Sequence, residues 1–246
     1  MSSATVRFHG ELNDFLTRLR RGATLSYTFG GRVSIKDVVE SLGVPHPEIE
    51  ALFASGSPVD FGYIIRDQEA IEAYPRNLPT GINYCSLRPA LPTPYRFVLD
   101  THLGTLASHL RMLGFDTLYR NDYDDDELAC IADVEMRILL TRDIGLLKRG
   151  RVVFGYFVRE TNPQRQVIEL AERYELRPFI QSLQRCTRCN GLLQPVSKAD
   201  IAERLAPKTR DYYTEFSLCE SCGQIYWKGS HYERMQQFIN TVLKPE

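Results

Sequence analysis

Two cysteine pairs, Cys186-x2-Cys189 and Cys219-x2-Cys222, form the most specific chemical pattern in the chain. Such knuckles can set four thiolates around one tetrahedral ion, and four sulfurs suit a closed, structural zinc site. A redox pair or a disulfide framework would use the same residues. The amino terminus, "MSSATVRFHGEL", lacks the apolar core of an export signal, which favours zinc and a cytoplasmic chain. Gly191 and Gly223 stand just behind the knuckles, where tight turns aim backbone N–H groups at sulfur. Cys85 and Cys130 stand alone and read as small buried apolar residues.

The second constellation is acidic. "RFVLD" and "RILLTRD" are apolar strand-like runs that end on Asp100 and Asp143, each opening a helix-like segment. Between them "DYDDDELACIA" crowds Asp124, Asp125 and Asp126 onto the first turn of another. Each acid alone reads as a helix cap, because a carboxylate there accepts free backbone N–H groups. In a parallel sheet, however, successive strands deliver their ends to one edge. Carboxylates gathered on such a rim repel one another unless a cation intervenes. Mg²⁺ or Mn²⁺ is the usual partner, and hydrolysis of phosphodiesters the usual chemistry. Arg142, Lys148, Arg149 and Arg151 follow at once and suit a phosphate backbone. Arg111 either orients Asp116, contacts RNA or is an exposed helical arginine.

The bulk properties set few limits. At 246 residues, 43% hydrophobic, with a formal net charge of −1, the chain is that of an ordinary globular protein. No apolar run is long enough for a membrane span. A nucleic-acid partner must therefore meet a local basic patch.

Three segments are expected to carry these residues. Residues 1–90 read as strand, helix ("LNDFLTRL"), strand ("ATLSYTFGG") and helix ("SIKDVVESLGV", with Ser34 as N-cap and Gly43 as its stop). Short strands follow around "VDFGYII", "AIEAYP" and "YCSLRP". That order fits a β-grasp, ubiquitin-like fold; without a terminal Gly-Gly, an interaction or scaffolding role is its default. "RPALPTPYR" reads as a spacer. Residues 95–180 alternate strand and helix, the pattern of a parallel α/β sheet with helices on both faces, and "NPQRQVIELAERY" takes Asn162 as cap and Pro163 as its first residue. Residues 181–246 hold the four-Cys module, with a knuckle, an aromatic strand and a final amphipathic helix. Tyr226 and Trp227 are expected to pack that module, with base stacking as the alternative. His102 could reach the acids, His109 and His231 read as satisfied helix residues, and no P-loop or dinucleotide fingerprint occurs.

The Asp at the first strand's end, "LxxLxxxLRxLGFD", "DDxxLxxxA", "RxLLTRD" and "YWxGSHYxRM" together resemble the PIN-like ribonuclease family first named from the carboxyl terminus of the mut-seven exonucleases. The β-grasp segment resembles the ubiquitin-like domain found in front of it in bacterial members. The resemblance implies metal-dependent RNA hydrolysis at Asp100, Asp125 and Asp143, Asp125 being selected by its distance from Leu128 and Ala132. It also implies a structural zinc, an RNA substrate and a protein or ribosomal partner for the β-grasp segment. PIN nucleases commonly carry a fourth acid soon after the third, and this chain offers none before Glu160. A catalytically weak or inactive RNA- or ribosome-associated protein is therefore the alternative function.

Overall fold

A computed structural model describes residues 1–76, 84 and 86–244, apart from the side chains of Ser230 and His231. Expectations for Cys85 and for the His231 side chain lie outside the described residues, whereas the strand expected at "YCSLRP" does not form: residues 84 and 86–89 are irregular. In chain order the strands and helices are β1 (Ser2–Phe8), β2 (Thr24–Phe29), α1 (Ile35–Ser41), β3 (Ala51–Ala54), β4 (Ser57–Val59) and β5 (Glu69–Tyr74). Then come β6 (Arg96–Leu99), α2 (Gly104–Met112), β7 (Asp116–Leu118), α3 (Asp125–Val134), β8 (Ile138–Thr141), α4 (Ile144–Leu147), β9 (Gly155–Phe157) and α5 (Pro163–Arg173). The last are β10 (Leu193–Val196), α6 (Lys198–Ile201), α7 (Pro207–Tyr212), β11 (Phe216–Cys219), β12 (Ile225–Trp227) and α8 (Ser230–Leu243).

These elements fall into two compact units, and neither coincides with a single expected segment. One joins Met1–Pro92 to Asp125–Phe157; the other joins Thr93–Asp124 to Val158–Glu246.

In the first unit, a five-stranded sheet has the order β2-β1-β5-β3-β4, with β1 and β5 parallel and the other neighbours antiparallel. Alternation in β1 sends Ala4, Val6 and Phe8 inward, where Ile35, Val38 and Val39 of α1 cover them. Ser34 caps α1 as expected: its Oγ accepts from Asp37 N and donates to the Asp37 carboxylate. "LNDFLTRL" departs from the expected helix. Gly10–Phe15 is a 3-10 turn, because Asn13 Nδ2 donates to the carbonyls of Phe8 and Gly10 while its Oδ1 accepts from Gly22 N. A side chain that binds nearby backbone competes with the α-helical ladder. "VDFGYII" is mostly loop; β4 stops at Val59, and Ile64 keeps one bridge, to Ser34.

The same unit holds α3, β8, α4 and β9. β8 and β9 are parallel, with Leu139 opposite Gly155 and Thr141 opposite Phe157. Ile138, Leu139 and Leu140 have no exposed surface. The β-grasp residues grip this part by specific bonds. Phe157 N donates to Glu48 Oε1 at 2.7 Å, Lys148 Nζ donates to the Glu40 carbonyl at 2.6 Å, and His46 Nε2 lies 3.1 Å from the Val152 carbonyl.

The second unit is built around the parallel pair β6 and β7, joined by α2. Leu106 and Leu110 of α2 are fully buried, and α5 packs beside it. Gly114 ends α2 at φ +98°, and a Cβ there would lie 2.2 Å from the Gln181 carbonyl oxygen. Only glycine tolerates both the left-handed backbone and that approach. Asn162 caps α5 through Oδ1, accepting from Gln164 N and Arg165 N, with Pro163 next as expected. The antiparallel sheet β10-β11-β12 follows, and α6 and α7 fill the connection between β10 and β11. The fold is thus α/β, with parallel strands flanked by helices, an amino-terminal sheet and a carboxyl-terminal four-Cys module.

Candidate metal centre and acidic residues

The four knuckle sulfurs converge. Cys186, Cys189, Cys219 and Cys222 bring their Sγ atoms within 4.8 Å of one another. Cys186 and Cys222 sulfurs are 3.6 Å apart, and those of Cys189 and Cys219 3.4 Å. A disulfide needs about 2.05 Å. A tetrahedron of Zn–S bonds near 2.3 Å needs edges of about 3.8 Å, so the set fits zinc and could hold such a metal. The knuckle turns follow from local chemistry: Asn190 N donates to the Cys186 carbonyl and Gly223 N to the Cys219 carbonyl, with Asn190 at φ +74° and Gly223 at φ +68°.

The thiols are electrostatically divided. Burial works to raise Cys186, but the Tyr226 hydroxyl, 3.1 Å from its sulfur, and the N–H groups of Cys189 and Arg188 outweigh it and bring the thiol down to about 7. Burial pushes Cys189 up to about 12. Thiols packed this closely share their negative charge poorly until a cation joins them. Tyr226 therefore packs the module, as expected; its hydroxyl also lies 3.2 Å from Thr187 Oγ1. Trp227 departs from the expectation. It is 39% exposed and lies outside the cluster of Ile201, Leu205, Phe216 and Ile225 that forms the module's core.

The first knuckle is stitched to α2 and β7. Asn190 Oδ1 accepts from Thr117 N at 2.9 Å, and its Nδ2 donates to Asp116 Oδ1 at 2.7 Å. Arg111 is 4% exposed, not the exposed helical arginine that was one expectation. Its Nε donates to the Thr117 carbonyl, and its Nη1 to the carbonyls of Thr187 and Arg188. Burial lowers its pKa while the neighbouring cysteines raise it. Sequence reasoning noticed this arginine but had no signal for its burial, because its acceptors lie as many as 77 positions away.

Asp100 and Asp143 stand where strands end, the first in the second unit and the other in the first unit with Asp125, which opens a helix. In the second unit, Asp100 follows β6, is 7% exposed, and accepts from Thr101 N and from Thr101 Oγ1. In the first unit, Asp143 follows β8 and is exposed; Oδ1 caps α4 by accepting from Gly145 N at 2.6 Å and Leu146 N at 3.3 Å. Among the described residues its Oδ2 has no partner, so capping leaves half the carboxylate for a cation. Asp125 opens α3 beside Asp126, and Arg149 pairs with both, at 3.3 Å to Asp125 Oδ2. Of the other expected phosphate contacts, Lys148 is engaged with the Glu40 carbonyl, Arg142 lies over the Phe157 ring at 5.8 Å, and Arg151 is exposed. Cys130, expected to be buried, is half-buried on α3, and His102 is exposed.

An α/β protein with strand-end acids and an appended four-Cys module is the class these features define. The chain belongs to the Mut7-C RNAse domain family, whose model matches residues 95–239, and the Mut7-C ubiquitin model matches residues 1–80. No curated protein and no solved structure matches the chain. The family points to ribonuclease-type function, with RNA as the substrate class. Among the described residues, no helix is long and apolar enough to cross a membrane.

Proposed function

We propose that the chain is a metal-dependent ribonuclease whose catalytic acids are Asp100, Asp125 and Asp143. The match of its residues 95–239 to an RNAse domain carries the reading. The donor chemistry supports it: carboxylate oxygens suit Mg²⁺ or Mn²⁺, and all three acids lie at strand ends or in the first turn of a helix. A divalent ion there would supply an activated water and steady the charge on the scissile phosphate. Asp143 binds α4 through one oxygen and offers the other. Arg142, Lys148 and Arg151 are the proposed backbone contacts, whereas Arg111 serves the reading by fixing the zinc knuckle. The β-grasp segment is proposed to meet a protein or ribosomal partner, and the chain to act in the cytoplasm.

One observation favours a second reading, RNA binding without cleavage. Arg149 pairs with Asp125 and Asp126, so a cation of the chain itself already meets the acid that would hold metal. The test is cleavage of single-stranded and structured RNA with Mg²⁺ or Mn²⁺, beside Asp100→Asn and Asp143→Asn. Asparagine keeps the capping oxygen, so both variants should fold. Metal-dependent cutting lost in both, with RNA binding kept, is the expected result. No cutting by the parent chain, with RNA bound by all three proteins, would select the second reading. Cutting that survives in both variants would remove the acids from the site.

A further inference from the structure

Outside the acids and the zinc ligands, the second unit contains a groove of about 1620 Å³. Residues of α2, the first knuckle, α7, the β10-β11-β12 sheet and α8 line it. Two features of its walls belong together. The first is flat aromatic surface. Tyr212 at the end of α7 is 81% exposed, Trp227 at the end of β12 is 39% exposed, and Tyr232 of α8 faces the same groove. Trp227 is held at an angle by Tyr213, with ring centroids 6.4 Å apart, and lies outside the buried cluster of the module's apolar core. A large ring fixed in place and left open is unexplained by packing.

The second feature is charge. Arg188, Lys208, Lys228 and Arg234 line the groove against one carboxylate, Glu215, which pairs with Lys228. Four cations less one acid leave an excess of three positive charges. Among the described residues, Arg188, Lys208 and Arg234 make no ion pair. An uncharged or cationic partner gains nothing from this wall, and a polyanion carrying flat rings gains from both features.

We propose that this groove binds single-stranded RNA, with unpaired bases stacked on Trp227 and Tyr212 and the phosphates met by Arg188, Lys208 and Arg234. Every base has a face to stack, so the grip tolerates sequence, whereas a duplex hides its bases and is excluded. The choice of RNA rests on the ribonuclease reading. The groove adds to it a substrate form and a holding surface away from the acids.

The chain has a single tryptophan, Trp227, so its fluorescence reports this groove and no other place. The full zinc-loaded chain would be titrated with a short oligouridylate, without Mg²⁺ or Mn²⁺, while anisotropy of a labelled copy follows binding. Saturable quenching in step with binding is expected, with none from a duplex. Tyr212→Ala, whose side chain is largely in solvent, should weaken binding about ten-fold. Lys208→Ala with Arg234→Ala should weaken it and flatten the salt dependence by roughly 0.7 in log–log slope per cation. RNA binding without quenching, equal quenching by duplex, or no effect of these variants would overturn the proposal. Quenching by the parent chain with no cleavage when Mg²⁺ or Mn²⁺ is added would count against the nuclease reading alone. Cleavage without quenching would count against the groove alone.

Discussion

The guanidinium of Arg111, on α2, lies 2.9 Å from the backbone carbonyl of Arg188, inside the first Cys-x2-Cys knuckle. Donors from one buried side chain also meet the carbonyls of Thr187 and Thr117, so helix, strand and knuckle share an anchor. Four thiolates around one zinc carry excess negative charge, which a fixed cation nearby offsets. Arg111→Met is expected to cost about 3 kcal/mol, since each buried carbonyl left without its donor costs about 1–3 kcal/mol. It should also speed zinc release to a chelator. Arg111→Lys should recover little, because an ammonium cannot span three acceptors in a fork. Wild-type denaturation and zinc release in the Met variant would remove the anchor role.

His109, on the same helix, is expected to make stability depend on pH. Its Nδ1 is buried without a partner, and the ring lies 5.0 Å from that of Phe238. Burial lowers its pKa from 6.5, outweighing a bond to the Pro163 backbone. The folded state therefore takes up this proton less readily than the unfolded chain. The contribution is fully present above about pH 6.5 and is lost as pH falls from there through the lower folded value. Denaturation midpoints followed across that window should fall more for the parent than for His109→Gln. The remaining histidines and the zinc thiolates are common to both proteins, so the difference isolates His109. Parallel curves would sink the idea.

Glu48 binds the β-grasp segment to the rest of its unit. It is fully buried, and its Oε1 accepts from Phe157 N at the end of β9. Glu48→Ala would leave that N–H without this acceptor and should cost about 3 kcal/mol, whereas Glu48→Gln retains an acceptor oxygen and should cost far less. Chemical denaturation of the two variants checks this. Equal stabilities would remove the Glu48 bond from what holds the segment in place.

Much of this organisation was legible along the chain because it depends on near neighbours. Ser34 with Asp37, Asn162 with Pro163, and the left-handed Gly43 and Gly114 act within a few residues, so helix limits could be read from spacing. The knuckles were legible for the same reason: Cys-x2-Cys is itself a turn. The strand-end positions of Asp100 and Asp143 followed from apolar runs meeting an acid. Other local signals misled. Asn13 turned an expected helix into a 3-10 turn, and β10, "LQPV" with a proline in its middle, carries little strand signal.

What the chain determined by itself was therefore its elements, its caps, the four-Cys set and the order of its parts. Tertiary structure decided which surfaces those parts would share. Phe157 reaches Glu48 across 109 positions, Lys148 reaches Glu40 across 108, and Arg111 reaches Arg188 across 77. Burial of a charge and exposure of a ring are set by such distant partners, not by spacing. Arg111 inside and Trp227 outside reverse what their residue types favour, and only the packed unit fixes that choice.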